Sequence, residues 1–79
     1  EVEEKDAVME RIREHALAEF ASVTTLDGVR VETADGWFLL RASGTQPLVR
    51  VTAEAREEER MEELFETARA IVDDAVGQN

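Results

Sequence analysis

The 79-residue chain contains no cysteine. Without cysteine there is no disulfide framework, no thiolate nucleophile and no zinc–thiolate or iron–sulfur site, so the class of secreted disulfide-rich mini-proteins is excluded. A reducing compartment such as the cytoplasm is the expected location. The length allows one small domain, residues 1–79.

Long hydrophobic runs are also missing. The longest uninterrupted apolar run is the four-residue segment 37–40, whereas a membrane-spanning helix needs about 20 residues. The first four residues, Glu-Val-Glu-Glu, lack the basic start of a signal peptide. We therefore expect a soluble protein with no membrane partner.

Basic residues are scarce, with nine Lys and Arg against nineteen Asp and Glu and a net charge of -10. This balance argues against proteins that follow a phosphate backbone or bind anionic membranes, because both partners would be repelled. The 43% hydrophobic and 35% charged content lies in the globular range. We expect a folded domain that does not bind nucleic acid.

Two segments carry the 3.6-residue apolar period of amphipathic helices. They predict a first helix over about residues 5–21 and a second over about residues 57–76. Three glutamates in the first turn of the second helix favour the positive end of its dipole. Six glutamates of this helix are expected to form a solvated face rather than a cation site: Glu57, Glu58, Glu59, Glu62, Glu63 and Glu66.

Between the helices, alternating apolar and polar residues predict strands over about 23–26, 29–33, 36–41 and 48–54. Two Asp-Gly pairs mark the tight turns that join the first three strands, and glycine tolerates positive φ in such turns. Neither helix can bury its apolar stripe alone. The predicted fold class is α+β, a two-layer sandwich in the order helix, four-stranded antiparallel meander, helix, with both helices on one face.

Positive charge is concentrated in one segment. Residues 36–53 contain Arg41 and Arg50 and no acid, giving +2, while the rest of the chain has seven basic and nineteen acidic residues, giving -12. Ser43, Gly44 and Thr45 lie in the loop between these arginines. Hydroxyls, a glycine that lets backbone N–H groups approach a ligand, and paired guanidinium forks are the parts of a phosphate cradle.

Physical reasoning leaves two interpretations of this segment open. In the first, Arg41 and Arg50 lie side by side on neighbouring strands and bind a dianion between them. In the second, the loop is an ordinary hairpin connection and the arginines pair with Glu32 or Glu54 across the sheet. Both interpretations require the same fold.

The sequence resembles the C-terminal domain of the α-D-phosphohexomutases, the superfamily of phosphoglucomutase, phosphomannomutase and phosphoglucosamine mutase. The resemblance covers essentially the whole chain. It rests on the motifs Asp27-Gly28-Val29-Arg30-Val31, Asp35 to Val51 with Arg41-Ala42-Ser43-Gly44-Thr45-Gln46-Pro47 at its centre, and Glu54-Ala55. Where the family often has proline at position 42 and glutamate at position 46, the alanine and glutamine found here resemble archaeal members.

The resemblance implies a TATA-binding-protein-like fold and a loop that holds the non-reacting phosphate of a hexose phosphate. The matching positions are Arg41, Ser43, Gly44, Thr45 and Arg50. The parent enzyme would be an intramolecular phosphotransferase, of phosphomannomutase or phosphoglucomutase type, that works through a bisphosphate intermediate with Mg²⁺. The phosphoserine, metal and sugar-distinguishing loops of the family are not in this sequence, so it resembles an excised domain, inactive alone, whose partners are the substrate and the other domains.

Two other function classes remain as alternatives: a non-catalytic protein-interaction or regulatory module with the same fold, and a sheet-based RNA binder, which the net charge disfavours. His15, the only histidine, is expected to be a partly exposed surface residue. Trp37 and Phe38 are expected to pack in the core. As adjacent strand residues they point to opposite faces, so at most one of them belongs to a given surface.

Overall fold

The computed structural model describes residues 2–26, 28–43 and 49–77, with side chains described from residue 6 onward. It contains two helices and four strands. In chain order they are α1 (Val2–Glu19), β1 (Val23–Thr24), β2 (Val29–Thr33), β3 (Gly36–Ala42), β4 (Val49–Ala55) and α2 (Glu58–Gly77).

The strands form one antiparallel sheet in the order β1-β2-β3-β4. This confirms the predicted α+β class and the meander. β1 is shorter than predicted, because the chain leaves the sheet after Thr24 and Leu26 is 94% exposed. The predicted start of the last strand, Leu48, lies outside the described residues, and β4 extends one residue further, to Ala55.

Both helices pack on the same face of the sheet, and their apolar stripes meet the strands in a single core. α1 begins and ends earlier than predicted, and Phe20 still donates its backbone N–H to the carbonyl of Ala16 at 2.9 Å. The guanidinium of Arg11 donates to the carbonyl of Ala75 at 2.7 Å, which joins α1 to the end of α2. Neither helix, over its described residues, has the length and apolarity needed to cross a membrane.

Alternation along β3 separates a core face from an open face of the sheet. Phe38 and Leu40 are fully buried beneath the helices, and the ring of Phe38 meets that of Phe20 edge-on with centroids 5.8 Å apart. Trp37 and Leu39 are half-buried on the other face. Core packing is thus confirmed for Phe38 and wrong for Trp37, because adjacent strand residues point to opposite faces.

The two Asp-Gly pairs behave differently. Gly28 adopts φ 90°, a conformation that glycine tolerates, whereas Gly36 does not have positive φ. The register pairs Thr33 with Gly36, so residues 34 and 35 form the loop and Gly36 begins β3. Glycine is needed there for close approach, because a Cβ would lie 2.5 Å from the carbonyl oxygen of Glu54 and 2.6 Å from Cδ1 of Leu64.

Candidate anion-binding site

Arg41 and Arg50 lie directly opposite each other on β3 and β4. Their neighbours Leu40 and Val49 are buried in the core. Since strand residues alternate between faces, both arginines point to the open face of the sheet, and both are exposed. The prediction that the two arginines lie side by side is confirmed.

Arg50 does not adopt the alternative pairing with a carboxylate. Among the described side chains, Glu32 is bound by Arg30, with Nε 3.0 Å and Nη2 2.9 Å from Oε2. Glu54 lies further along β4, opposite Trp37. Among the residues that the structure describes, no ion pair neutralises Arg50, so its charge remains available to a ligand.

Two like charges at directly opposite positions repel each other. Cβ atoms of such a cross-strand pair are about 4.5–5.5 Å apart, and like charges there are destabilising. In water, unit charges about 4 Å apart interact by about 1 kcal/mol. A dianion between the guanidinium groups reverses the sign of this energy, because each arginine can then donate charge-assisted hydrogen bonds.

The remaining predicted site residues lie in the loop after β3. Ser43 follows the last residue of β3 and is half-buried. Gly44 and Thr45 lie outside the described residues, so their part in the cradle stays a prediction. Of this loop, the described part of the chain therefore includes Ser43, which directly follows β3.

The opposite end of the same strands carries ion pairs. Arg60 of α2 donates through Nε to both carboxylate oxygens of Asp35, at 3.0 and 3.1 Å, and through Nη1 to Glu63 at 3.1 Å. Thr33 Oγ1 also donates to Asp35 at 3.0 Å. The Arg60 guanidinium, and then the Thr33 hydroxyl, hold the pKa of Asp35 below its ordinary value. This end joins the β2–β3 turn to α2.

One cluster on the open face was missed by sequence reasoning. The guanidinium carbon of Arg30 lies 4.3 Å from the ring centroid of Trp37, a cation–π contact. Arg30 also carries the ion pair to Glu32. The signal was present for Arg30 and Glu32, which alternate with the apolar Val29 and Val31, but not for Trp37, which begins the four-residue apolar run 37–40.

Other sequence candidates lie where they were expected. His15 has a side chain 33% exposed and contacts Glu19 at 3.1 Å, which confirms a partly exposed surface residue. The six glutamates of the α2 region are exposed, as predicted for a solvated face. Over the described residues, no group of three acidic or histidine side chains converges to hold a metal ion.

These observations define a small α+β domain whose open sheet face carries a cross-strand pair of arginines. The sequence matches the family described as "Phosphoglucomutase/phosphomannomutase, C-terminal domain" over residues 1–71, and the chain belongs to this family. The predicted resemblance is confirmed.

Similar curated proteins are archaeal. One from Thermococcus gammatolerans, named "Probable phosphoglucosamine mutase", is 42% identical over 76 residues, which cover 94% of this chain and 17% of that protein. Proteins of the same name from Methanosarcina acetivorans and Methanopyrus kandleri are 43% and 48% identical, over 94% and 76% of this chain and 16% and 13% of their own lengths. The chain thus spans about one sixth of its curated relatives.

Proposed function

We propose that this chain is the substrate-phosphate-binding domain of a phosphohexomutase that acts on an amino-sugar phosphate. The expectation from sequence was a phosphomannomutase or phosphoglucomutase type. The relatives are instead named phosphoglucosamine mutases, which supports glucosamine phosphate as the substrate. The parent enzyme would move a phosphoryl group between two hydroxyls of this sugar in the cytoplasm.

The Arg41–Arg50 pair is the observation that carries the proposal. Within a chain of net charge -10, two exposed guanidinium groups occupy directly opposite positions on one sheet face. The fold alone does not need this arrangement, because like charges in such a pair are destabilising. A phosphate dianion turns the pair into a binding site. Ser43, Gly44 and Thr45 would add hydroxyl and backbone N–H donors.

This domain would contribute binding energy and orientation rather than chemistry. Holding the non-reacting phosphate fixes where the reacting hydroxyl of the sugar lies, which converts part of the binding energy into rate. A site that recognises only a phosphate can hold either phosphate of a bisphosphate intermediate. Closure of the domain over the sugar would also exclude water.

Phosphoryl transfer itself requires groups that the resemblance assigns to other domains, namely a phosphoserine and Mg²⁺. The described residues offer no converging carboxylates for this cation, so the role proposed for this chain includes no step through Mg²⁺. The partners of the domain would be the hexose phosphate and the remaining domains of the parent enzyme.

Isothermal titration calorimetry of the 79-residue chain with glucosamine 6-phosphate at low salt tests the proposal. We expect a dissociation constant of roughly 1 mM, about 4 kcal/mol, and no heat with glucosamine. Arg50→Ala should remove most of the binding. Arg56→Ala is the matched control, because Arg56 is an exposed arginine directly after β4. Equal loss in both variants, or equal binding of glucosamine, would contradict a specific phosphate site.

A further inference from the structure

Gly28 lies beside the arginine pair, in the turn that precedes β2. Its φ is 90°, the left-handed region that favours glycine. The β2–β3 register pairs Val29 with Leu40, and continuing it by one residue sets Gly28 opposite Arg41. Arg41 therefore has Gly28 on its β2 side and Arg50 on its β4 side.

The stem of Arg41 occupies the space that a side chain at position 28 would need. A Cβ added to Gly28 would lie 2.8 Å from Cγ of Arg41 and 2.7 Å from the carbonyl oxygen of Leu40. Both distances are too short for a real Cβ. The Arg41 stem thus lies against the bare backbone of Gly28.

We propose that Gly28 is a positioning residue for phosphate binding, acting through Arg41. Its missing side chain leaves the space on the β2 side of Arg41 to the Arg41 stem. With its stem held on the β2 side, Arg41 presents its guanidinium in a fixed direction, which lets one phosphate accept hydrogen bonds from both arginines. This inference rests on the proposed function, because it assigns Gly28 a role in the same site.

Gly36 provides a matched comparison within the same sheet. A Cβ on Gly36 would lie 2.5 Å from the carbonyl oxygen of Glu54, 2.6 Å from Cδ1 of Leu64 and 2.8 Å from Cβ of Ala55. Both glycines therefore exclude a side chain by contact with a backbone oxygen of the neighbouring strand. Of these two glycines, only Gly28 has an arginine of the site in the space that a side chain would need.

The test is a double-mutant cycle on phosphate affinity. Amide NMR titrations with inorganic phosphate would compare wild type, Gly28→Ala, Arg41→Ala and the double variant, each at a temperature where it is folded. We expect Gly28→Ala to weaken binding about tenfold, as when a charge-assisted hydrogen bond is lost. In the Arg41→Ala background the same change should have no further effect, because the residue through which Gly28 acts is gone.

The control variant Gly36→Ala should lower the melting temperature and leave the phosphate affinity unchanged. If Gly28→Ala weakens binding equally in both backgrounds, or if Gly36→Ala weakens it as much, the effect is merely structural and the inference is overturned. Gly28→Asn serves the same comparison as Gly28→Ala with less backbone strain, because asparagine tolerates positive φ while still adding a Cβ.

A wild-type measurement covers the case in which the Gly28 variants do not fold. The inference requires a nuclear Overhauser contact between the Hα protons of Gly28 and the Hγ protons of Arg41. Its absence in a wild-type chain that binds phosphate overturns the inference and leaves the proposed function standing. Wild-type chain that shows the contact but does not respond to phosphate contradicts the proposed function instead.

Discussion

The two ends of the β3–β4 ribbon use charge in opposite ways. At the end near the β2–β3 turn, Asp35 is held by Arg60 of α2 and by Thr33. At the other end, Arg41 faces Arg50 across the strands. Opposite charges in contact join elements of the fold, whereas like charges in a directly paired position are destabilising.

The same comparison holds for the two glycines. Gly36 allows β3 to approach β4 and Leu64 of α2, so its role is packing. Gly28 leaves room for the stem of Arg41. Under the proposed function, one end of the ribbon serves stability and the other binds a ligand, and each of the following changes should affect one of these properties more than the other.

The largest effect is expected in the core that both ends share. Phe38 is fully buried beneath the helices, so Phe38→Ala should lower the free energy of unfolding by about 3–5 kcal/mol. Urea denaturation followed by the fluorescence of Trp37, the only tryptophan, measures this change. Leu39→Ala, on the half-buried open face, is the control and should cost less. Equal losses would contradict the assignment of the two faces.

Arg50→Glu should separate stability from binding at the ligand end. A glutamate opposite Arg41 replaces a repulsive pair with an attractive one, and we expect the free energy of unfolding to rise by about 0.2–1 kcal/mol. Phosphate binding should be lost at the same time. Urea denaturation and calorimetry measure the two quantities, with Arg56→Glu as the control. A variant that is less stable than wild type and still binds phosphate would contradict the account.

At the cation–π contact between the two ends we expect a change in stability alone, which is a smaller effect than the loss of phosphate binding. Arg30→Ala removes the guanidinium over Trp37 and the ion pair with Glu32. Because the site is partly exposed, we expect a loss of about 0.5–1 kcal/mol in unfolding free energy. The emission of Trp37 in the folded state should also change. Arg30→Lys is the control that keeps the charge; if it loses as much as Arg30→Ala, the planar stacking matters more than the charge.

The smallest effect is a pH dependence of stability at the Asp35 end. The pKa of Asp35 lies below its ordinary value of 3.8 in the folded state, so the folded carboxylate binds its proton less readily than the unfolded one. Its contribution to stability is present above about pH 4 and is lost as the pH falls through the folded pKa. Urea midpoints of wild type and Asp35→Asn should therefore converge on acidification. In an Arg60→Ala background this convergence should largely disappear.

Sequence alone predicted most of the fold, because the 3.6-residue and two-residue periods are strong and the turns carry Asp-Gly pairs. The predicted start of the third strand at Gly36 is confirmed, but the need for glycine there was not predicted, since only the structure shows that a Cβ would meet Glu54 and Leu64. The core assignment of Trp37 was wrong, because a bulky apolar side chain on an open face is not distinguished by composition.

The candidate site, like the fold, was predicted only in part. Spacing around a reversing loop predicted that Arg41 and Arg50 face each other, and the register confirms it. The part proposed for Gly28 was not visible in the sequence. It depends on the direction of one arginine stem relative to a neighbouring strand, which no pattern of residue types encodes.

The most direct test of the central claim is an amide NMR titration of the wild-type chain with glucosamine 6-phosphate at low salt. The account predicts shifts confined to the Arg41 end of the ribbon, including the amides of Ser43, Gly44, Thr45 and Arg50, with none at Asp35 or Gly36. The response should weaken as salt is added, because exposed charges are screened. Shifts centred on the Asp35 end, or none at tens of millimolar ligand, would contradict the claim.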